Sequence, residues 1–316
     1  MKLAVIVGIV VAVAVVAGAG GFIFLNPSAP SGSSGNQPPG NQPPDNHLPG
    51  NQTPDNHLLE NAPIIRLYYT YPTNPGAKDK DYTSQNYGSA YSSDGVNFTD
   101  ESGARLSGAY LSDPDVFKES ANNWVLFYSK AVAPEGNPEQ STLLKATCTT
   151  PNGTFVTDNS FSGSYGNISS TIKIDNTFYV YGVSSGIKIS TYSPTTNQLS
   201  PVGTAVSGQV FDPSVIQISP NSFKMYYKQS GNTYSADSAD GLTWTNNTKI
   251  VDSAEVPGAV YVGGKVYLYY GNSASDNWQG KMLVRISTNN GATFGSPQVV
   301  TGLREGNCDG DPVVYE

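Results

Sequence analysis

Residues 211–244 read FDPSVIQISPNSFKMYYKQSGNTYSADSADGLTW. Three short apolar or alternating runs, 211–218, 223–228 and 232–238, are separated by Pro-Asn, Ser-Gly and Asp-Gly signals, the pattern of antiparallel strands joined by tight turns. One such sheet has faces to bury and nothing of its own to bury them against. The chain answers by repetition. A second copy is SDPDVF at 112–117, WVLFYS at 124–129 and TLLKATC at 142–148. A third is EVPGAVYV at 255–262, KVYLYYG at 265–271 and MLVRISTNNGATF at 282–294. A weaker fourth lies between them as GNISSTIKI at 166–174, FYVYG at 178–182 and IKISTY at 187–192. Units recurring every ~40–50 residues are the mark of a propeller, whose blades bury their faces on their neighbours.

The two ends supply a fifth unit. DPVVYE at 311–316 reads as a first strand with nothing after it, while IIRLYYTY at 64–71 and SAYSSDGVNF at 89–98 read as later strands with no first strand before them. Joined, they complete a blade and close the ring, removing exposed sheet edges. The expectation is an all-β, five-bladed β-propeller over 62–316. An open β-sandwich is the alternative that the same strand spacing permits.

The N-terminal part is of another kind. Leu3 to Leu25 carries no charge and is long enough, at about 1.5 Å per residue, to cross a bilayer as a helix. Lys2 beside the amino terminus orients it with the N-terminus inside. Residues 1–25 are therefore read as a transmembrane signal anchor, with the propeller on the extracellular side of the cell membrane. A cleaved signal peptide ending near Ala17-Gly18-Ala19 is the competing reading. Residues 26–61 repeat NQPPG, NQPPD, NHLPG, NQTPD, NHLLE over 36–60 and hold too little apolar surface to fold. They are read as a disordered, semi-extended linker.

Composition narrows the function. A net charge of −8 with only 17 Lys and Arg excludes a nucleic-acid partner. Both histidines, His47 and His57, lie in the linker, which removes His-dependent nucleophilic catalysis and His-based metal sites from the folded part. Cys148 and Cys308 are read either as a disulfide or as buried thiols. Asn51, Asn97, Asn152, Asn167 and Asn246 head N-x-S/T sequons, which permit glycosylation.

With histidine absent, carboxylates remain. Acidic residues recur where the first strand of each unit begins: Asp113 with Asp115, Asp212, Glu255, and Asp309 with Asp311. Paired Asp and Glu about a small pocket are what glycoside hydrolysis requires, one kept protonated and the other ionised. Trp278, in GNSASDNWQGK, is read as a sugar-stacking side chain, with Asp115, Asp309 and Asn167 as further ligand contacts and Lys78 and Lys80 on the rim.

Two resemblances attach to these residues. Ser92–Phe98, Ser238–Trp244 and Ser287–Phe294 resemble the Asp-box turn of sialidase-type repeats, which implies a structural turn between the third and fourth strands of a blade, away from the site. No cofactor is called for; calcium is the one ion left open. The strings SDPDVF…WVLFYS, FDPSVIQI and EVPGAVYVGGKVYLYYG resemble the blades of glycoside hydrolase family 43, the arabinanase and β-xylosidase group. That resemblance implies a glycosidase whose base, modulating Asp and acid come from successive blades. It makes Glu255 the acid, Asp212 the modulator, and Asp113 or Asp311 the base, with a carbohydrate or cell-surface glycan as partner. The chain departs from the pattern before Asp212, where Gly166-Asn167-Ile168-Ser169 offers no acid. A non-catalytic glycan- or protein-binding propeller on a stalk is the alternative. A true sialidase is not indicated, since Arg66, Arg105, Arg285 and Arg304 are scattered and the early Arg-Ile-Pro motif is missing.

Overall fold

The computed structural model describes residues 64–74, 84–131, 141–163, 166–272 and 281–315. The anchor and linker assigned to 1–61, and with them Lys78, Lys80 and Trp278, lie outside the described residues. Among those described, no helix is long and apolar enough to cross a membrane.

Twenty strands form five four-stranded antiparallel sheets. Blade 1 holds β1 (Ile64–Pro72), β2 (Gln85–Ser92) and β3 (Thr99–Gly108). Blade 2 holds β4 (Leu111–Ser120), β5 (Asn123–Lys130), β6 (Thr142–Cys148) and β7 (Val156–Thr157). Blade 3 is β8 (Asn167–Ile174), β9 (Thr177–Val183), β10 (Gly186–Ser193) and β11 (Gln198–Ser207). Blade 4 is β12 (Phe211–Ser219), β13 (Ser222–Gln229), β14 (Asn232–Ser238) and β15 (Thr245–Val251). Blade 5 is β16 (Ala254–Val262), β17 (Lys265–Asn272), β18 (Met282–Ser287) and β19 (Gln298–Val299). The last strand, β20 (Cys308–Tyr315), returns to blade 1 and pairs antiparallel with β1, Ile64 opposite Tyr315 and Tyr68 opposite Asp311. This closure makes a propeller of what two packed sheets would have left as a sandwich.

The core is divided among the blade interfaces because every sheet has two faces to cover. Five clusters of buried apolar side chains result, one per interface. Tyr68 and Tyr87 of blade 1 meet Trp124, Leu126 and Tyr128 of blade 2. Phe117, Val125 and Phe127 meet Phe178, Val180 and Tyr192 at the next interface. Tyr181, Ile187 and Ile189 pack on Met225 and Tyr227, and Tyr226 on Val266 and Leu268. Leu67 and Tyr69 close the circle against Tyr267, Tyr269 and Met282 of blade 5. Aromatic side chains suit this geometry, since their large area spans the wedge between two twisted sheets.

The three Ser-x-Asp/Asn turns link third to fourth strands. In each the Ser Oγ accepts the N–H of the turn glycine at 2.9 Å, for Gly95, Gly241 and Gly291 alike. Asp94 Oδ1 accepts from Val96 and Asn97, and Asp240 Oδ1 from Leu242 and Thr243. These carboxylates are spent on backbone N–H groups. The turns also lock blades together, for Tyr181 and Tyr269 of the preceding blades donate to the carbonyls of Gly241 and Gly95. Among the sequons, Asn167 is only 3% exposed and offers no acceptor surface for glycosylation.

Candidate active site

The innermost strands of the blades, β4, β8, β12, β16 and β20, all begin with the same irregularity. Each has a register shift against its partner, and at each shift one residue takes a left-handed φ: Asp113 (53°), Ile168 (50°), Asp212 (54°), Val256 (51°) and Asp309 (49°). Such a φ is a genuine outlier for β-branched Ile168 and Val256. The fold, rather than the residue, therefore imposes this bulge, which re-aims one side chain per blade. In three blades that side chain is Asp.

Two residues further along, the strands are stitched to one another. Asp311 Oδ2 accepts the N–H of Val116 (2.7 Å), and Asp115 Oδ1 that of Thr171 (3.0 Å). Ser170 Oγ accepts from Val215 (3.0 Å) and Ser214 Oγ from Ala259 (2.8 Å). The fifth step needs no bond: Gly258 faces Pro312, which has no N–H to satisfy. A side chain there has no room either, since a Cβ on Gly258 lies 2.0 Å from the Gly310 carbonyl oxygen. Four acceptors and one glycine thus close a circuit around the channel. Asp115 also accepts from the hydroxyls of Ser169 and Thr171.

This circuit sorts the acidic pairs. Asp311, expected as a catalytic base, and Asp115, expected as a ligand contact, hold the neighbouring blade's backbone. Although Asp311-Pro312 looks like Asp113-Pro114 and Asp212-Pro213 in sequence, it sits two positions later in the strand, and Asp309 is the true counterpart of Asp113 and Asp212. Glu255 is likewise displaced. Val256 occupies the bulge, and Glu255 sits one residue before it, opposite Gly271, so its side chain does not line the channel.

Asp113, Asp212 and Asp309 meet at a channel of about 350 Å3 whose walls include Ile168, Val256 and Asp311. Burial, then the charges of Asp309 and Asp212, push the Asp113 carboxyl well above the usual range. Asp212 is pushed up to about 7 by burial, with Asp309 and Glu255 adding to it and Lys228 and the Val256 N–H opposing. Asp309 is raised by burial against hydrogen bonds from Thr70, the Asp113 N–H and Cys308. Deeper in, burial raises Asp115 to about 6 despite its hydrogen bonds, and burial with the Asp115 charge raises Asp311 strongly. Lys228, at the end of β13, is the cation of the cluster, its Nζ 2.8 Å from Glu255 Oε2. Burial works against its charge, yet Asp212, Glu255 and Asp113 outweigh it and raise its pKa. Sequence reasoning passed over Lys228 because it reads as the polar end of an ordinary strand.

The four scattered arginines serve the scaffold. Arg66 pairs with Glu101 and Arg304 with Asp100, Arg105 donates to backbone carbonyls, and Arg285 donates to Tyr270. Cys148 and Cys308 belong to different sheets and are not bonded to each other. Asn167 is on the outer side of the mouth, against Val183, and not in the channel.

No protein-family model matches the chain, and no curated protein matches it in sequence. Solved structures do. The family 43 β-xylosidase/α-arabinofuranosidase CoXyl43 from a compost microbial metagenome, crystallised with xylotriose, matches with a TM-score of 0.52 at 15% identity over 70% of this chain and 87% of its own. An exo-β-1,3-galactanase from Clostridium thermocellum matches with a TM-score of 0.52 at 13% identity over 74% of this chain, which spans 59% of it. The fold is that of the family 43 glycoside hydrolase propellers. At these identities the fold is what is shared, and the family 43 fold leaves the roles of this chain's carboxylates to its own geometry.

Proposed function

We propose that this chain is an extracellular, membrane-tethered glycoside hydrolase whose site is the channel mouth. The observation that carries it is the convergence of Asp113, Asp212 and Asp309, from three blades, beside the Lys228–Glu255 ion pair. Buried acids cost stability unless paired, and such clusters mark sites of chemistry. Asp212, held near 7, carries a proton at neutral pH and serves as the acid that protonates the leaving oxygen. Glu255, paired with an ammonium, is the anion that draws a proton from water or attacks the anomeric carbon. These roles reverse those the family resemblance implies. The channel-side anchor Asp309 and its neighbour Asp113 keep further protons at the mouth. The uncharged run Leu3–Leu25 supports tethering, with the propeller outside the cell.

The test is leaving-group dependence in the full-length protein. Asp212→Asn is expected to lose about 100-fold or more in kcat on natural glycosides yet recover on aryl glycosides with acidic phenols, which need no proton donor. Glu255→Gln is expected to stay inactive on both. Recovery of Glu255→Gln alone assigns the acid to Glu255 and refutes this assignment. A second reading, a glycan-binding propeller without chemistry, is favoured by Ile168, which stands where the resemblance places a base. Saturable glycan binding with no sugar released by the wild type supports it. Protease protection of the N-terminal residues in intact cells, with cleavage of the propeller, checks the topology.

A further inference from the structure

A groove runs outward from the mouth over blade 3. It encloses about 1380 Å3 and is bounded by Leu143 of blade 2, Asn167 and the Ser184-Ser185 turn of blade 3, and Gly208 and Phe211 at the entry to blade 4. Its size exceeds the ~300–1000 Å3 of sites for small ligands, which suits a chain better than a single ring. It joins the mouth directly, because Asn167 and Phe211 immediately precede Ile168 and Asp212. The face is low here: blades 3 and 4 connect their second and third strands by two-residue turns, whereas the same connections elsewhere run from Pro72 to Gln85, Lys130 to Thr142 and Asn272 to Met282.

Two features state what the groove takes. Phe211 is half-buried, yet it belongs to none of the five core clusters, so its ring is spare apolar surface next to Asp212. Beside it, a side chain built on Gly208 meets no atom within 4 Å. Meanwhile every residue along the groove is uncharged, only hydroxyls, an amide pair, backbone groups and apolar side chains being present. An acidic polysaccharide would find no countercharge there, and the aspartates at the mouth would repel it. Aromatic surface and neutral hydrogen-bonding groups together match a neutral sugar chain.

We propose that blade 3 carries the chain-binding subsites of this propeller, in which a neutral polysaccharide lies along the groove and stacks its first residue beyond the mouth on Phe211. The proposal rests on the carbohydrate reading above, and goes beyond it in naming the path, the stacking residue and the charge class. The experiment is calorimetric binding to the full-length protein carrying Asp212→Asn, so that nothing is consumed, using neutral arabino- and xylo-oligosaccharides of two to six units and oligogalacturonides of equal length. Affinity is expected to rise at least tenfold from dimer to hexamer for one neutral series and to be undetectable for the uronates. Phe211→Ala is expected to lower hexamer affinity about tenfold, with Phe211→Tyr restoring it. Ser184→Trp, at an exposed turn, is expected to abolish the gain with length. A length-independent affinity, a preference for uronates, or a Phe211→Ala variant that binds like its parent overturns the groove while leaving the hydrolase reading standing. Absence of binding to every glycan overturns both.

Discussion

Replacing Asp115 by alanine probes what holds the five blades in a ring. The side chain is 3% exposed and accepts three hydrogen bonds from blade 3: the Thr171 N–H at 3.0 Å, the Thr171 hydroxyl at 2.7 Å and the Ser169 hydroxyl at 2.8 Å. The hydroxyls can rotate toward other acceptors; the N–H cannot. Leaving buried donors unsatisfied costs about 1–3 kcal/mol each, which for one fixed and two rotatable donors suggests a gross loss of about 3–6 kcal/mol. Part of this is returned, because burial already disfavours the ionised carboxyl and holds its pKa near 6. A net loss of about 2–4 kcal/mol at pH 7 is expected, a large share of the ~5–15 kcal/mol typical of folded proteins. At about 2–4 °C per kcal/mol for a fold of this size, the melting temperature falls by roughly 4–16 °C. Urea unfolding of the full-length protein, followed by near-UV circular dichroism, measures it. Ser214→Ala, which removes one acceptor from the same circuit, provides the scale at about 1–3 kcal/mol. A loss below about 1 kcal/mol for Asp115→Ala, or one no larger than for Ser214→Ala, refutes the view that these acceptors tie the blades together.

Other expectations follow from the same geometry. Asp115 and Asp212 have folded pKa values near 6 and 7, above their unfolded value of 3.8, so the folded state holds their protons more tightly. Their contribution to stability is complete below about pH 4 and is lost as the pH rises through 6 and 7; melting temperatures measured from pH 4.5 to 8 should fall, and Asp212→Asn should flatten the upper part of that fall. Lys228→Gln removes the cation that restrains Asp212, so the alkaline limb of the pH–activity profile should move to higher pH, while a move to lower pH would contradict the assignment. Gly258→Ala drives a methyl group to 2.0 Å from the Gly310 oxygen and 2.9 Å from Pro312 Cδ, and backbone must yield. A destabilisation of about 1–3 kcal/mol or more is expected, seen as a lower urea midpoint with an unchanged m-value.

The strands most visible in the sequence are those with both faces covered. WVLFYS, FKMYYK and KVYLYYG lie second in their sheets and read as unbroken apolar runs, as buried strands do. The outermost strands escaped because they face water. β3 is TDESGARLSG and β11 is QLSPVGTAVS, with no alternation to read, and β7 and β19 are two residues each. Ring closure was legible because an unfinished first strand at one end matched the blade lacking a first strand at the other.

The carboxylates at the strand entries were legible as a set and not by role. Local sequence names which residues are acidic and places them near the channel, since the repeat itself sets that spacing. It cannot separate Asp309 from Asp311, or Asp113 from Asp115, because each pair lies within one strand and differs only in which member sits on the bulge. Nor does a Glu-x-Pro string reveal that Val256, one residue later, is the residue turned into the channel. Those outcomes depend on backbone bonds made between blades about 55 residues apart for Asp115 and almost 200 for Asp311. Likewise Lys228 reaches Glu255 only because two neighbouring blades bring the end of a second strand beside the start of a first. The repeat, and so the propeller, was in the sequence because packing periodicity is local. The division of the acids into those that bind the ring and those that face the mouth was made only by tertiary structure, where burial, charge and unpaired backbone N–H groups from different blades first meet.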